Sequence, residues 1–299
     1  AYSILKTGKD EFGKNIPFVF RSFTDFKTPV YVYLIVPLIP IFGLTAFTVR
    51  LPSFIFSILT IPVLYLLIGE LTKKLEIRNL KLEIVASFLL ATSPWHILFG
   101  RTNFECNVAL FFFLAGVFFF YKALGNPKLL IISVLFFAIA IPSYHAQRII
   151  TPLMMFVLFF RHRKILLTKK YRIYIVFSAI LGLLISLPTL SIAGTSGFLA
   201  RASGLNIISH SRQMPAGFLN NYHGIFSPLI NGSWFLTVKE FSALYVSYFS
   251  PRNMFVLGDS GPRSSFPELS TFFIWQFPFY IYGMYVFIKN KNMGELKFF

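Results

Sequence analysis

The stretch LPSFIFSILTIPVLYLLIG, residues 51–69, contains no charged side chain. A helix of this length and apolarity crosses the ~30 Å hydrocarbon core of a bilayer at ~1.5 Å per residue, so it reads as a membrane span. Apolar runs of the same character lie at 84–100, 107–121, 129–143, 150–160, 173–193 and 271–288. The whole chain agrees: of 299 residues, 56% are hydrophobic and 13% charged, where a soluble domain carries roughly a quarter charged residues. An ordinary soluble globule and a disordered chain are both excluded. The expected fold class is an all-α polytopic membrane protein with six or seven spans.

The run TPVYVYLIVPLIPIFGLTAF, 28–47, is apolar too, but Pro29, Pro37, Pro40 and Gly43 interrupt it. Proline lacks the helix N–H and clashes with the preceding turn. One or two short helices at the membrane surface are expected there, followed by a span with Pro52 in its first turn.

Charge supplies an orientation. The net charge of +17 comes from 28 Lys and Arg against 11 Asp and Glu. A balance this basic often marks nucleic-acid binding. In a membrane chain, however, lysines and arginines gather beside the spans, so no nucleic-acid partner is expected. More than half of them fall in 69–83, 122–128, 161–172 and 289–299, short segments that the positive-inside rule assigns to the cytoplasm. Asp10, Glu11, Asp25, Glu105, Glu240, Asp259 and Glu268 then fall on the opposite, extracytoplasmic side. No repeat of 20–50 residues recurs, which gives transporter-type inverted repeats no support. The expected organisation is an outer loop with surface helices (1–50), a transmembrane bundle (51–193), a second outer loop (194–270) and a final helix with a cytoplasmic end (271–299). The chain opens at Ala1 and reads as a fragment, with a first helix and a C-terminal part lying beyond it.

The polar residues that resist this apolar background are the candidates for chemistry. Lys9-Asp10-Glu11-Phe12-Gly13 places two adjacent carboxylates in a loop, where one of them faces a site while the other structures the turn, or where both belong to a solvated turn. Asp25 and Lys27 stand just before the proline-opened run. The connection SPWHILFGRTNFE (93–105) holds His96, Arg101 and Glu105, and IPSYHAQRIITP (141–152) presents Tyr144, His145 and Arg148 in a short loop. Charges so tightly flanked by membrane are functional-site hypotheses by default, with anchoring at headgroup depth as the alternative. Arginine grips phosphate bidentately and lysine does so as a point charge, so cations clustered on one membrane face suit a lipid-linked phosphate. The aromatic residues Phe218, Tyr222, Phe226, Trp234, Tyr245 and Tyr248 suit either stacking on sugar or the headgroup region. No zinc, calcium, P-loop or dinucleotide signature is present. The sequence requires no cofactor and is compatible with a divalent metal. The lone Cys106 forms no intramolecular disulfide and reads as a buried apolar thiol.

Taken in order, DEFG (10–13), DFKTPVYVYL (25–34), FTVRLPSFIFSILTIPVLYLL (47–67), ATSPWHILFGRTNFECNVALFFFLAG (91–116), SYHAQRIITPL (143–153), NNYHGIFSP (220–228) and FVLGDSGPRSSFPELS (255–270) resemble a family. It is the polyprenyl-phosphate-dependent membrane glycosyltransferases of the GT-C fold, nearest the bacterial branch of the protein O-mannosyltransferase and aminoarabinose-transferase group. The resemblance implies a GT-C-like helix bundle with outer-face loops and a multi-pass protein of the cell membrane whose active site is extracytoplasmic. It maps the family's catalytic aspartate onto Asp10, with Glu11 beside it, and places the donor phosphate near Lys27, Arg101, Arg148 and Arg263. Asp25, Tyr144 and His145 are the expected substrate-binding residues. The implied donor is a polyprenyl-phosphate sugar and the acceptor a hydroxyl on a protein, a lipid or a glycan. The chain departs from the family where Lys27-Thr28-Pro29 replaces Lys-Pro-Pro and where the first helix is lacking. The competing reading is a polytopic lipid or sugar transporter without transferase chemistry.

Overall fold

The computed structural model describes residues 1–22, 25–73, 81–192, 233–257 and 270–289. It forms two units, residues 1–198 with 278–299 and residues 199–277, which are described separately.

The first unit begins with a short helix, α1 (Tyr2–Thr7), and a small antiparallel hairpin, β1 (Phe20–Ser22) and β2 (Asp25–Lys27), in which Phe20 pairs with Lys27. Helix α2 (Pro29–Ile35) opens with proline in its first turn, where the missing N–H is no loss. A 3-10 turn (Val36–Leu38) and α3 (Ile39–Phe42) complete the expected series of short helices. Gly43, at φ 73°, stops that series in a backbone conformation that side-chain-bearing residues rarely adopt.

The long helix α4 (Ala46–Lys73) starts earlier than its apolar run suggests. Thr45 caps it: the Thr48 N–H donates to Thr45 Oγ1 at 3.2 Å, and Thr48 Oγ1 donates to the Gly43 carbonyl at 2.7 Å. Pro52 therefore sits in the second turn rather than the first. The remaining helices are α5 (Leu82–Ala91), α6 (Pro94–Arg101), α7 (Glu105–Ala123), α8 (Leu129–Ala140) with a 3-10 turn at Ile141–Ser143, α9 (Gln147–Leu166) and α10 (Lys169–Ser191).

These helices form the core of an all-α membrane protein. Three of them, α4, α7 and α10, are long and apolar enough to span, and the pair α5 and α6, bent by 53°, supplies a fourth if it counts as one span. Among the described residues, fewer helices than the seven runs are both long and apolar enough to span. The run 84–100 is broken where Ser93 and Pro94 start a new helix, and α8 with its 12 residues extends only ~18 Å. Helix α9 is long enough, but Arg161, Arg163 and Lys164 charge its C-terminal end, and it falls outside the spanning set.

Helix α4 packs on α5, α6 and α7, α7 on α8, and α8 on α10. Helices α7 and α8 pack closely at Gly116, where an added Cβ would lie 2.6 Å from the Phe137 ring, and Ser133 Oγ donates to the Gly116 carbonyl at 2.7 Å. Large apolar side chains of α4 and α10 point outward, among them Phe54, Leu59, Ile173 and Leu184, as a lipid-facing surface requires. One apolar cluster (Leu67, Val117, Phe120, Tyr121, Phe137, Leu158, Tyr171) fills the end where α4 stops. A second (Tyr31, Ile35, Ile39, Val108) seats α2 and α3 on the opposite end.

In the second unit, α11 (Ser233–Tyr248) leads into α12 (Pro251–Phe255), and the Phe255 ring packs on Phe272 and Phe277. Helix α13 (Phe277–Lys289), which from Pro278 onward belongs to the first unit, covers only the later part of the apolar run 271–288. Of the aromatic residues singled out in 217–248, Tyr245 and Tyr248 are exposed on α11. Phe218, Tyr222, Phe226 and the side chain of Trp234 lie outside what is described.

Candidate active site

The start of α4, the end of α6, the start of α7 and the turn before α9 all meet at one end of the first unit, and the N-terminal segment is fastened there. Tyr31 Oη donates to the Val49 carbonyl at 2.8 Å, and Ser53 Oγ donates to the Phe99 carbonyl at 2.7 Å. Thr28, buried, donates from Oγ1 to the Ser143 carbonyl at 2.9 Å, and His145 Nε2 donates to the Phe26 carbonyl at 2.9 Å. An imidazole nitrogen facing a carbonyl must carry its proton, which fixes the tautomer.

These two bonds clip the segment carrying Lys27 onto the turn carrying Tyr144, His145 and Arg148. All four of these side chains are partly buried. Tyr144 and His145 lie in the link before α9, but Arg148 belongs to the first turn of the helix rather than to a loop. Burial draws the pKa of its guanidinium below the ordinary value, although arginine remains charged. A desolvated cation of this kind gains more from an anionic partner than an exposed one does.

Asp10 shapes its own loop. Its Oδ1 accepts from the backbone N–H groups of Phe12 at 3.0 Å and Lys14 at 2.8 Å, and Lys9 bridges to Asn15. This is the local Asx geometry that short acidic side chains favour. Among the described residues Oδ2 accepts no hydrogen bond. Of the two carboxylates, then, the one that structures the turn is Asp10, and Glu11 is exposed. The loop rests on α2: Tyr33 Oη donates to the Pro17 carbonyl at 2.9 Å, and the Phe20 and Tyr33 rings meet edge to face at 5.7 Å. Burial raises the pKa of the Tyr33 phenol, and the Asp10 carboxylate raises it further.

Arg101 ends α6 at the same end of the unit and is exposed. Asp25 pairs with Ser22 in the hairpin, and Arg263 lies outside the described residues. His96 is buried on α6, with Nε2 at 3.0 Å from the Ser57 carbonyl, in a polar junction where Asn107 donates to Ser57 Oγ. Sequence reasoning missed Thr28, Tyr33 and Ser143. Their partners are remote in sequence, and no local pattern marks them. Among the described residues no three His, Cys, Asp or Glu side chains are grouped to hold a metal.

An apolar cavity of about 440 Å3 lies between α8, α9 and α10, lined by Phe137, Ile141, Pro152, Met155, Gly182 and Leu190 among others. Pro152 is four residues from Arg148, so the two share a face of α9.

A family model described as dolichyl-phosphate-mannose-protein mannosyltransferase matches residues 26–192, more than half of the chain. The matched segment contains Lys27, Arg101, Tyr144, His145 and Arg148, and it leaves out Asp10, Glu11, Asp25 and Arg263. No curated protein and no solved structure matches the chain.

Proposed function

Because this chain belongs to the dolichyl-phosphate-mannose-protein mannosyltransferase family, a GT-C type of membrane glycosyltransferase, we propose that it moves a sugar from a polyprenyl-phosphate donor to an acceptor hydroxyl. The reaction takes place on the extracytoplasmic face of the cell membrane. The observation that carries the reading is the pair of hydrogen bonds, Thr28 to Ser143 and His145 to Phe26, that sets the Lys27 segment against the Arg148 turn.

In this mechanism Asp10 Oδ2 accepts the proton of the acceptor hydroxyl as its oxygen attacks the anomeric carbon. The bond from that carbon to the phosphate oxygen breaks, the electron pair leaves with the phosphate, and the anomeric configuration inverts. The departing phosphate is a weak base, so no second carboxyl group is needed as acid, unlike the pair that glycoside hydrolysis uses. Lys27, Arg101 and Arg148 stabilise the charge that grows on the leaving phosphate in a low-dielectric setting. Asp25, Tyr144 and His145 are assigned to substrate binding. The apolar cavity beside Pro152 suits an isoprenoid chain whose phosphate end lies at Arg148. The acceptor is a protein, lipid or glycan hydroxyl.

Replacing Asp10 with Asn tests the assignment. Transfer should fall by at least the ~100-fold typical of losing a general base, while donor binding persists. Near-normal turnover in D10N would remove Asp10 from the mechanism.

A further inference from the structure

The end of the bundle opposite the candidate active site holds a second polar cavity, of about 240 Å3, lined by Tyr65, Gly69, Glu70, Thr72, Lys73, Glu83, Phe118 and Lys122. Its depth follows from α4. From Thr48, fastened at the active-site end, to Glu70 the helix rises ~33 Å at ~1.5 Å per residue, close to the ~30 Å hydrocarbon thickness. The cavity therefore lies at headgroup depth in the opposite leaflet. Tyr65 and Leu66, on its flank, are 42% and 49% exposed, so it opens toward lipid rather than into the bundle.

Its charges are balanced. Glu70, with only 17% of its side chain exposed, lies 3.7 Å from Lys122 Nζ and 3.9 Å from Lys73 Nζ. The Lys122 ammonium also sits 5.8 Å from the centre of the Phe118 ring, which holds it over the cavity. Glu83, in the first turn of α5, is partly buried and forms no ion pair with any described residue. Two lysines and two carboxylates, one of them without a cation among the described residues, make a poor site for an anion. They suit a ligand carrying a phosphate and a primary ammonium together. The volume has room for roughly eight waters, enough for a headgroup.

We propose that this cavity binds the headgroup of phosphatidylethanolamine from the bilayer, with the phosphate at Lys73 and Lys122 and the ammonium at Glu83. A primary ammonium donates three hydrogen bonds and a quaternary one donates none, so phosphatidylcholine is the informative comparison. Phosphatidylglycerol offers the phosphate alone.

The test is native mass spectrometry of the purified full chain, delipidated in mild detergent and given equal amounts of the three phospholipids. Phosphatidylethanolamine should be retained roughly tenfold over each of the others, the scale of one charge-assisted hydrogen bond. Glu83→Gln should bring its retention down to that of phosphatidylcholine, and Lys122→Ala should weaken phosphatidylethanolamine and phosphatidylglycerol alike. Equal retention of the three lipids, or preference for phosphatidylglycerol, overturns the proposal, as does full discrimination in E83Q. Should E83Q fail to fold, the comparison of the three lipids on the unaltered chain decides alone.

Discussion

Thr28→Val isolates the contact that assembles the candidate active site. Thr28 is 1% exposed, and its hydroxyl donates to the Ser143 carbonyl at 2.9 Å across 115 residues of sequence. That hydroxyl makes no capping bond to α2, so the substitution removes no helix cap, and valine keeps the shape. What is lost is one buried hydrogen bond, leaving a carbonyl without its donor at a cost of about 1–3 kcal/mol. Such a change multiplies the opening equilibrium of the hairpin from the α9 turn by roughly 5–150-fold. Hydrogen exchange read by mass spectrometry, on protein in lipid nanodiscs, should show faster exchange in peptides spanning 20–30 and 140–150. The α7–α8 interface, which shares no partner with Thr28, should be unchanged. Unaltered exchange at both segments, or a uniform rise through the whole unit, would refute the reasoning.

Other expectations follow from the same geometry. Gly116→Ala puts a methyl against the Phe137 ring between α7 and α8, and overpacking of this kind costs about 1–3 kcal/mol. A lowered melting temperature in detergent with transfer chemistry otherwise intact is the result to look for. Tyr31 and Tyr33 give an alkaline limit. Burial raises the pKa of both phenols above their ordinary value of 10.0, with Glu105 adding to Tyr31 and Asp10 to Tyr33. Because the folded pKa exceeds the unfolded one, their contribution to stability is complete below that value and is lost as pH rises through the folded pKa. Tyrosinate absorbance should therefore show both residues ionising late, and Tyr31→Phe with Tyr33→Phe should flatten the alkaline loss of stability.

The long apolar helices were legible because lipid imposes a length and a polarity that few sequences meet by accident, and 51–69 and 173–193 are plain in the composition alone. The short helices of 28–47 were legible through their prolines. What stayed hidden was set by single hydroxyls. Thr45 moves the start of α4 to Ala46, and a reading keyed to Pro52 overlooks it because threonine is common in apolar runs. Ser93 and Pro94 break the run 84–100, which an average over hydropathy smooths away. His96 looked like site chemistry because a histidine beside a short connection is ambiguous until its partner, the Ser57 carbonyl, is seen. At the candidate site, Lys27 and Arg148 were legible as cations against an apolar background. That their segments are clipped together was not, since Thr28 and Ser143 carry no local signature.

Cleavage of the bond between a sugar and a lipid phosphate can be measured directly. Purified protein in nanodiscs, supplied with a labelled polyprenyl-phosphate sugar and an acceptor, should release free polyprenyl phosphate and form a glycoside of inverted anomeric configuration. The intact lipid-linked sugar recovered without cleavage, merely moved from one leaflet to the other, would contradict the proposed transfer.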